Sequence, residues 1–247
     1  MSEKGNRERP LAARLGEGIF CIIYLIIMVV LICIMKERHD MYLDLSKRET
    51  LNPVFAHVYR FGFGVLMAGL LVGGDAFHLI PRVIDDFTGR LPKKEMLLGI
   101  GSLISSITMT LFYNVLIRMG DSMEYSPSEY NRSIELWILI LTFIRIFILL
   151  LPWNRWFSSE PNRFWALLRN IPFAIIGMLT LIGFANVSRH ARYYPPQFYT
   201  IIMILVFFSF LFYIPVALYG KEKPKLGMLM MPKTVCYIIM MSVICLY

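Results

Sequence analysis

Apolar residues along this chain are gathered into seven long blocks that are separated by shorter polar segments. Each block has roughly the 20 residues with which an α-helix crosses the hydrocarbon core of a bilayer. A membrane β-barrel would instead show short segments of alternating polarity. The pattern therefore predicts an all-α, polytopic integral membrane protein, a bundle of seven transmembrane helices. We place these helices at residues 18–35, 58–81, 96–117, 135–153, 164–186, 197–219 and 226–247.

The connections between blocks indicate a single membrane domain, residues 17–247, preceded by a basic polar N-terminal segment, residues 1–16. Because the connections are short, neighbouring helices are expected to be antiparallel. Lys and Arg are more numerous in the N-terminal segment and the even-numbered loops than in the odd-numbered loops. Since cytoplasmic loops carry an excess of basic residues, this bias predicts an amino terminus inside the cell and a carboxyl terminus outside.

Composition supports the membrane assignment and narrows the range of partners. Hydrophobic residues make up 57% of the chain and charged residues 17%, whereas soluble domains are about one-quarter charged. The net charge of +8 comes mostly from loop residues, so we assign it to the lipid bilayer and its anionic headgroups and expect no nucleic acid partner. The four cysteines fall in apolar blocks and are interpreted as small core residues. Basic loops without a disulfide pattern favour a bacterial cytoplasmic (inner) membrane.

Polar residues inside the predicted helices lie at one depth. Ionisable residues are costly in lipid, and each is therefore a functional hypothesis. At 1.5 Å per residue, the polar groups of five helices lie roughly 8–12 Å below the N-terminal surface, and few are found in the opposite half. We expect them to form a one-sided, net cationic pocket. The candidate residues are Asp75, His78, Ser102, Ser105, Ser106, Arg145, Arg169, Asn170, Lys233 and Thr234.

Asp75 and Lys233 are the pair on which the pocket hypothesis depends. A buried carboxylate needs a partner to stay charged, and Lys233 shares its depth. We expect Asp75 and Lys233 to gate the site, His78 to tune the protonation of the site, and Arg145 to bind an anion. In the inert alternative, Asp75 and Lys233 form a structural ion pair between helices two and seven. Arg145 and Arg169 can also snorkel to the headgroups.

Small residues offer a second interpretation of the same region. Ser102, Ser105 and Ser106 have the i, i+3, i+4 spacing of one helical face, and such a hydroxyl stripe can also serve close helix packing. Gly69 and Gly73 form a small-xxx-small pair in helix two, to which we assign a packing role.

Several reaction chemistries find no support in the motifs. The last predicted helix contains no histidine, so a zinc site of the kind found in seven-helix ceramidase-type hydrolases is excluded, and no metal or cofactor is expected. Lys233 with Asp75 as counter-ion is similar to the Schiff-base arrangement of microbial rhodopsins, but Leu229 stands where those proteins have aspartate. No G-x-S-x-G nucleophile motif is present.

The leading hypothesis is a non-enzymatic membrane protein that binds, senses or transports a small anionic or amphipathic ligand. One alternative is an intramembrane lipid-modifying enzyme that uses His78 and Asp75 as acid and base. Another is a structural or partner-binding membrane subunit. The sequence leaves the ligand and the oligomeric state open.

Overall fold

The computed structural model describes residues 11–48, 51–88, 93–124, 129–157, 163–219 and 224–247. Within these ranges the chain forms helices and no β-strand, and seven helices are long and apolar enough to cross a membrane. The all-helical, seven-helix prediction is confirmed at this level. The helices are α1 (Leu11–Arg48), α2 (Asn52–Thr88), α3 (Lys94–Met123), α4 (Glu129–Leu150), α5 (Arg163–Arg189), α6 (Pro196–Tyr219) and α7 (Met230–Leu246).

The first two helices are longer than the hydropathy pattern predicts. The helix α1 continues past residue 35 to Arg48, and α2 already begins at Asn52, so the connection expected at residues 36–57 is largely helical. Its Lys, Glu and Arg residues are good helix formers, and Pro53 lies in the first turn of α2, where proline is tolerated. The first ten residues of the predicted N-terminal segment lie outside the described residues.

The last helix begins later than predicted. Residues 224–229 form a 3₁₀-helix, and α-helical geometry starts only at Met230. Pro232 therefore lies in the first turn of α7, where the backbone N–H that proline lacks has no partner within the helix anyway. As a result, Lys233 projects from the beginning of an α-helix, next to the change in helix type.

Two glycines allow α2 and α3 to approach each other closely. A Cβ atom at Gly74 would overlap the hydroxyl oxygen of Thr108 and would lie 2.8 Å from its Cβ atom. A Cβ atom at Gly101 would overlap the carbonyl oxygen of Phe77 and would lie 2.7 Å from the Cα atom of His78. The second contact involves backbone, which cannot move aside like a flexible side chain. Gly101 therefore determines how closely α3 approaches α2 beside the candidate site.

The glycine pair singled out in the sequence does not serve this purpose. A Cβ atom at Gly69 or Gly73 would have no neighbour within 4 Å, and both glycines are exposed on the outer face of α2. The packing role predicted for them is wrong. The glycine that touches α3 is the next residue, Gly74, which is rotated by about 100° around the helix axis.

The interior of the bundle is filled mainly by aromatic and methionine side chains. The Tyr113 ring lies at its centre and contacts the rings of Phe112, Phe173 and Phe210 at centroid distances of 5.2–5.4 Å. The Tyr113 hydroxyl lies 3.0 Å from the hydroxyl of Tyr237 on α7. Large apolar side chains are also exposed around the outside of the bundle, as expected for a surface in contact with lipid.

Candidate functional site

A cavity of about 160 Å³ lies inside the bundle, toward the end at which α3, α5 and α7 begin. Six of the residues predicted from the sequence line it: His78, Ser102, Ser105, Ser106, Arg145 and Lys233. Four further described lining residues were not predicted: Met109, Phe173, Tyr213 and Met230. None of the described lining residues is acidic, so the part of the cavity wall that they form is cationic.

Arg145 is the most deeply buried charged residue of the cavity. Its side chain is only 1% exposed, and its guanidinium carbon lies 3.6 Å from the centre of the Phe173 ring. The Nε and Nη1 atoms of Arg145 have no hydrogen-bond partner in the described part of the protein. The alternative in which Arg145 snorkels to the headgroups is therefore wrong. The cavity therefore contains two donor nitrogen atoms of a buried cation without an acceptor among the described residues, which is costly unless another group accepts from them.

Lys233 brings a second cation to the same wall. It is 7% exposed, and its ammonium nitrogen lies 4.5 Å from the centre of the Tyr213 ring and 5.6 Å from that of Tyr237. Aromatic faces attract a cation without neutralising its charge. No carboxylate of the described residues lies within 4.0 Å of this nitrogen, so the direct ion pair expected with Asp75 is not formed.

Asp75 lies behind the cavity wall and is held by two hydroxyl groups. Tyr24 of α1 donates to its Oδ2 atom at 2.8 Å, and Ser105 of α3 donates to its Oδ1 atom at 2.9 Å. Each carboxylate oxygen therefore has a charge-assisted hydrogen bond that does not involve a cation. Asp75 joins three helices and orients Ser105, while its charge acts on Lys233 only at longer range.

The protons of the serine stripe are already used within the protein. Ser102 donates to the carbonyl oxygen of Leu98 at 2.8 Å, and Ser106 donates to the carbonyl oxygen of Ser102 at 2.7 Å. The Nδ1 atom of His78 lies 3.4 Å from the Ser102 hydroxyl oxygen. Because that hydroxyl donates elsewhere, it can only accept from His78. This is the reverse of the geometry in which a histidine base activates a serine nucleophile.

Arg169 is positioned away from the cavity. Its guanidinium carbon lies 4.3 Å from the centre of the Trp156 ring, and its Nη1 atom donates to the Oδ1 atom of Asn154 at 3.3 Å. Arg169 therefore has a ring and an acceptor near the end of α4. It is not one of the cavity-lining residues.

Asn170 and Thr234 also lie outside the cavity wall. The Oδ1 atom of Asn170 accepts a hydrogen bond from the Tyr213 hydroxyl at 2.8 Å, which holds that ring in place. The Thr234 hydroxyl donates to the carbonyl oxygen of Met230 at 2.9 Å, one turn earlier in α7. Asn170 thus supports a lining residue, and Thr234 satisfies the backbone of its own helix.

Some of the residues missed in the sequence had a detectable signal. Tyr237 follows Lys233 by four residues, Met109 follows Ser105 by four, and both spacings place the two residues on one helical face. Tyr213 had a weaker signal, because α6 is apolar on all sides. Its only polar neighbour on the same face is Ser209, four residues earlier, whose hydroxyl donates to the Tyr237 hydroxyl at 2.7 Å.

Polar groups also gather at the opposite end of the bundle, mostly beyond the ends of the predicted helices. A second cavity, of about 180 Å³, lies at the opposite end and is lined by Asp121, Glu124, Asn131, Asn186, Val187, His190 and Arg192. Glu124 accepts hydrogen bonds from the Tyr199 hydroxyl and from the backbone N–H of Arg192. In the sequence these residues lie at or beyond the ends of the apolar blocks, which is typical of surface loops. In the structure the helices extend beyond those blocks and bring the residues together.

Comparison of the chain with protein-family models, curated proteins and solved structures finds no match. The function must therefore be inferred from the geometry of the site. Within the described ranges, no group of three or more His, Cys, Asp or Glu side chains is arranged to hold a metal ion.

Proposed function

We propose that this multi-pass membrane protein binds a small anionic group in the cavity between Arg145 and Lys233, and that it acts as a sensor or transporter of an anionic ligand. The observation that carries the proposal is the buried Arg145 guanidinium, which lines the cavity with two unpartnered nitrogen atoms. A non-enzymatic role is part of the proposal, because the serine hydroxyls donate away from His78.

Charge favours an anion over other small ligands. Arg145 and Lys233 both line the cavity, and no carboxylate is found among its described lining residues. Burying a charged group without a counter-charge is unfavourable, since the loss of hydration is not offset by pairing. A bound anion would accept from the Arg145 N–H groups and offset the charge of both cations.

Size limits the anionic group to a small one. The cavity volume is about 160 Å³, and an apolar cavity of about 150 Å³ is known to hold one benzene molecule. A carboxylate or a phosphate fits such a volume. Arginine presents a planar set of donors that matches both groups, and lysine adds a point charge.

Location and orientation complete the proposal. Seven membrane-length helices are compatible with an integral membrane protein. The excess of Lys and Arg in the N-terminal segment and even-numbered loops supports an inside amino terminus. A bacterial cytoplasmic membrane is part of the proposal. The cavity would then lie nearer to the cytoplasmic surface, where anionic headgroups and soluble anions are both accessible.

Binding of simple anions to the purified protein tests the proposal. The protein in an uncharged detergent is titrated with inorganic phosphate and with acetate, and the midpoint of thermal unfolding is followed at constant ionic strength. We expect a saturable rise for at least one anion, because a ligand that binds only the folded state stabilises it. Arg145→Met and Lys233→Met should each abolish the rise.

Arg169→Met is the matched control, since it removes an arginine charge from the same end of the bundle but outside the cavity. It should leave the anion-dependent rise unchanged. Equal responses of wild type and all three variants would show that the anion acts on the surface and not in the cavity. No saturable response of the wild type to either anion would contradict the proposal directly.

A further inference from the structure

A second, apolar groove lies next to the cationic cavity, between α5 and α6. Its volume is about 190 Å³, and its walls include Leu167, Ile171, Ala174, Ile214, Ala217 and Leu218. Three of these side chains, Leu167, Ile171 and Ile214, are 42–54% exposed on the outside of the bundle. The groove is therefore part of the surface that faces lipid. It lies in the same half of the bundle as the cavity, at the beginning of α5 and the end of α6.

The groove and the cavity share two wall residues, Phe173 and Tyr213. The guanidinium of Arg145 lies 3.6 Å from the centre of the Phe173 ring, and the ammonium of Lys233 lies 4.5 Å from that of Tyr213. Each ring therefore touches a cation of the cavity and also lines the apolar groove. Phe173 and Tyr213 therefore form part of the wall that the two spaces share.

We propose that the ligand is an anionic lipid, whose carboxylate or phosphate headgroup occupies the cavity and one of whose alkyl chains lies in the α5–α6 groove. This inference rests on the proposed function and adds to it the class of ligand and a lateral entry route from the bilayer. A polar cavity that continues into a lipid-facing apolar groove matches a molecule with one charged end and one apolar end. A free inorganic anion would use only the first of the two spaces.

Entry requires movement of the two shared rings. Tyr213 donates to Asn170, which lies at the groove and follows Arg169 on α5. An anion arriving from the groove would pass between Phe173 and Tyr213 and reach the N–H groups of Arg145. The cost of desolvating the headgroup is offset only at that point, by pairing with the two cations.

The test compares methyl phosphate with dodecyl phosphate, which have the same headgroup chemistry and differ in the chain. Binding to the full-length protein in an uncharged detergent is measured by the thermal-unfolding midpoint for wild type, Ala217→Phe and Ala174→Phe. Both substitutions place a large ring in the groove and leave the cavity residues intact. Val30→Phe, on the lipid-facing side of α1, is the control for adding a ring at the protein surface.

We expect dodecyl phosphate to bind wild type and Val30→Phe at least tenfold more tightly than methyl phosphate. In Ala217→Phe and Ala174→Phe this ratio should fall at least fivefold, while methyl phosphate binding is retained. Partition of dodecyl phosphate into micelles raises its local concentration equally for all four proteins. A ratio that stays the same in the two groove variants would therefore overturn the lipid inference.

The outcomes separate the two proposals. If methyl and dodecyl phosphate bind wild type equally well, the anion site stands and the lipid inference is wrong. If neither binds, the proposed function itself is wrong. If the groove variants fail to fold, wild type is labelled with an alkyl phosphate that carries a photoreactive group on its chain. Labels at residues 167–174 or 210–218 support the inference, and labels confined to other helices contradict it.

Discussion

Replacing Arg145 by methionine should stabilise the protein in the absence of an anion and abolish anion binding. Arg145 is only 1% exposed, and its Nε and Nη1 atoms have no protein acceptor. Methionine has a similar length and no polar hydrogen. Its sulfur can keep the contact with the Phe173 ring, over which the guanidinium now lies at 3.6 Å.

The expected magnitude follows from the partners that Arg145 lacks. A buried donor left without an acceptor costs about 1–3 kcal/mol, and Arg145 has two such atoms. The substitution also removes its cation–π contact, worth about 0.5–2 kcal/mol. Replacing buried ionic groups by apolar ones of similar volume stabilises some proteins by about 1–4 kcal/mol. We therefore expect the free energy of unfolding to rise by about 1–3 kcal/mol. For a chain of this size, each kcal/mol raises the midpoint of thermal unfolding by about 2–4 °C.

The assay is thermal and denaturant unfolding of the purified protein in uncharged detergent, with and without inorganic phosphate. Arg169→Met is measured in parallel. Arg169 has a hydrogen bond to Asn154 and a contact with the Trp156 ring, so its replacement should lower the free energy of unfolding by about 1 kcal/mol. Two Arg-to-Met substitutions at one end of the bundle should thus shift stability in opposite directions.

The reasoning is refuted if Arg145→Met unfolds at a lower temperature than wild type in phosphate-free buffer. That result would mean that the guanidinium is already satisfied in the folded protein. Addition of phosphate should reverse the order of the two proteins, because only wild type gains stability from binding. If Arg145→Met is more stable than wild type both with and without phosphate, the stability argument holds and the binding proposal fails.

Two further predictions concern the structure around the cavity. Gly101→Ala should lower the free energy of unfolding by about 1–3 kcal/mol, because the added methyl group would overlap the backbone of α2. Gly73→Ala should leave the free energy of unfolding unchanged or raise it by up to about 1 kcal/mol. The unfolding midpoints of the two variants check this difference, and equal midpoints would contradict it. Tyr24→Phe removes a hydrogen bond to a carboxylate and should cost about 1.5–3 kcal/mol in wild type but less in an Asp75→Asn background. A double-mutant cycle measures the difference, and a coupling energy near zero would show that the 2.8 Å contact contributes nothing to stability.

Much of the architecture was predictable because the bilayer restricts it. A chain that crosses hydrocarbon must satisfy its backbone groups internally, so an apolar block of about 20 residues is helical whatever it packs against. Depth was also predictable, since each residue advances a helix by about 1.5 Å. His78, the three serines of α3, Arg145 and Lys233 share a predicted depth, and they line one cavity in the structure. The ends of the helices were less predictable, because the polar residues up to Arg48 prolong α1 beyond its apolar block.

What only the tertiary structure decided is the rotation of each helix about its axis. One residue turns a helix by about 100°, and this difference separates Gly73, which faces open space, from Gly74, which touches α3. Asp75 and Lys233 share a depth, but packing turns the first toward Tyr24 and Ser105 and the second toward Tyr213.

By itself the sequence determined the number of helices and the depth of Arg145 and Lys233 along their helices. The physical reason is that hydrocarbon thickness and helical rise are the same for every chain. It could not determine which side chains meet, because α6 is apolar on all sides and has no face that indicates its rotation. Packing of bulky side chains settles that rotation, and it brings Phe173 and Tyr213 between the cations and the lipid-facing groove. The two unpartnered nitrogen atoms of Arg145 are a product of that packing, and so is the cavity that we propose as the anion site.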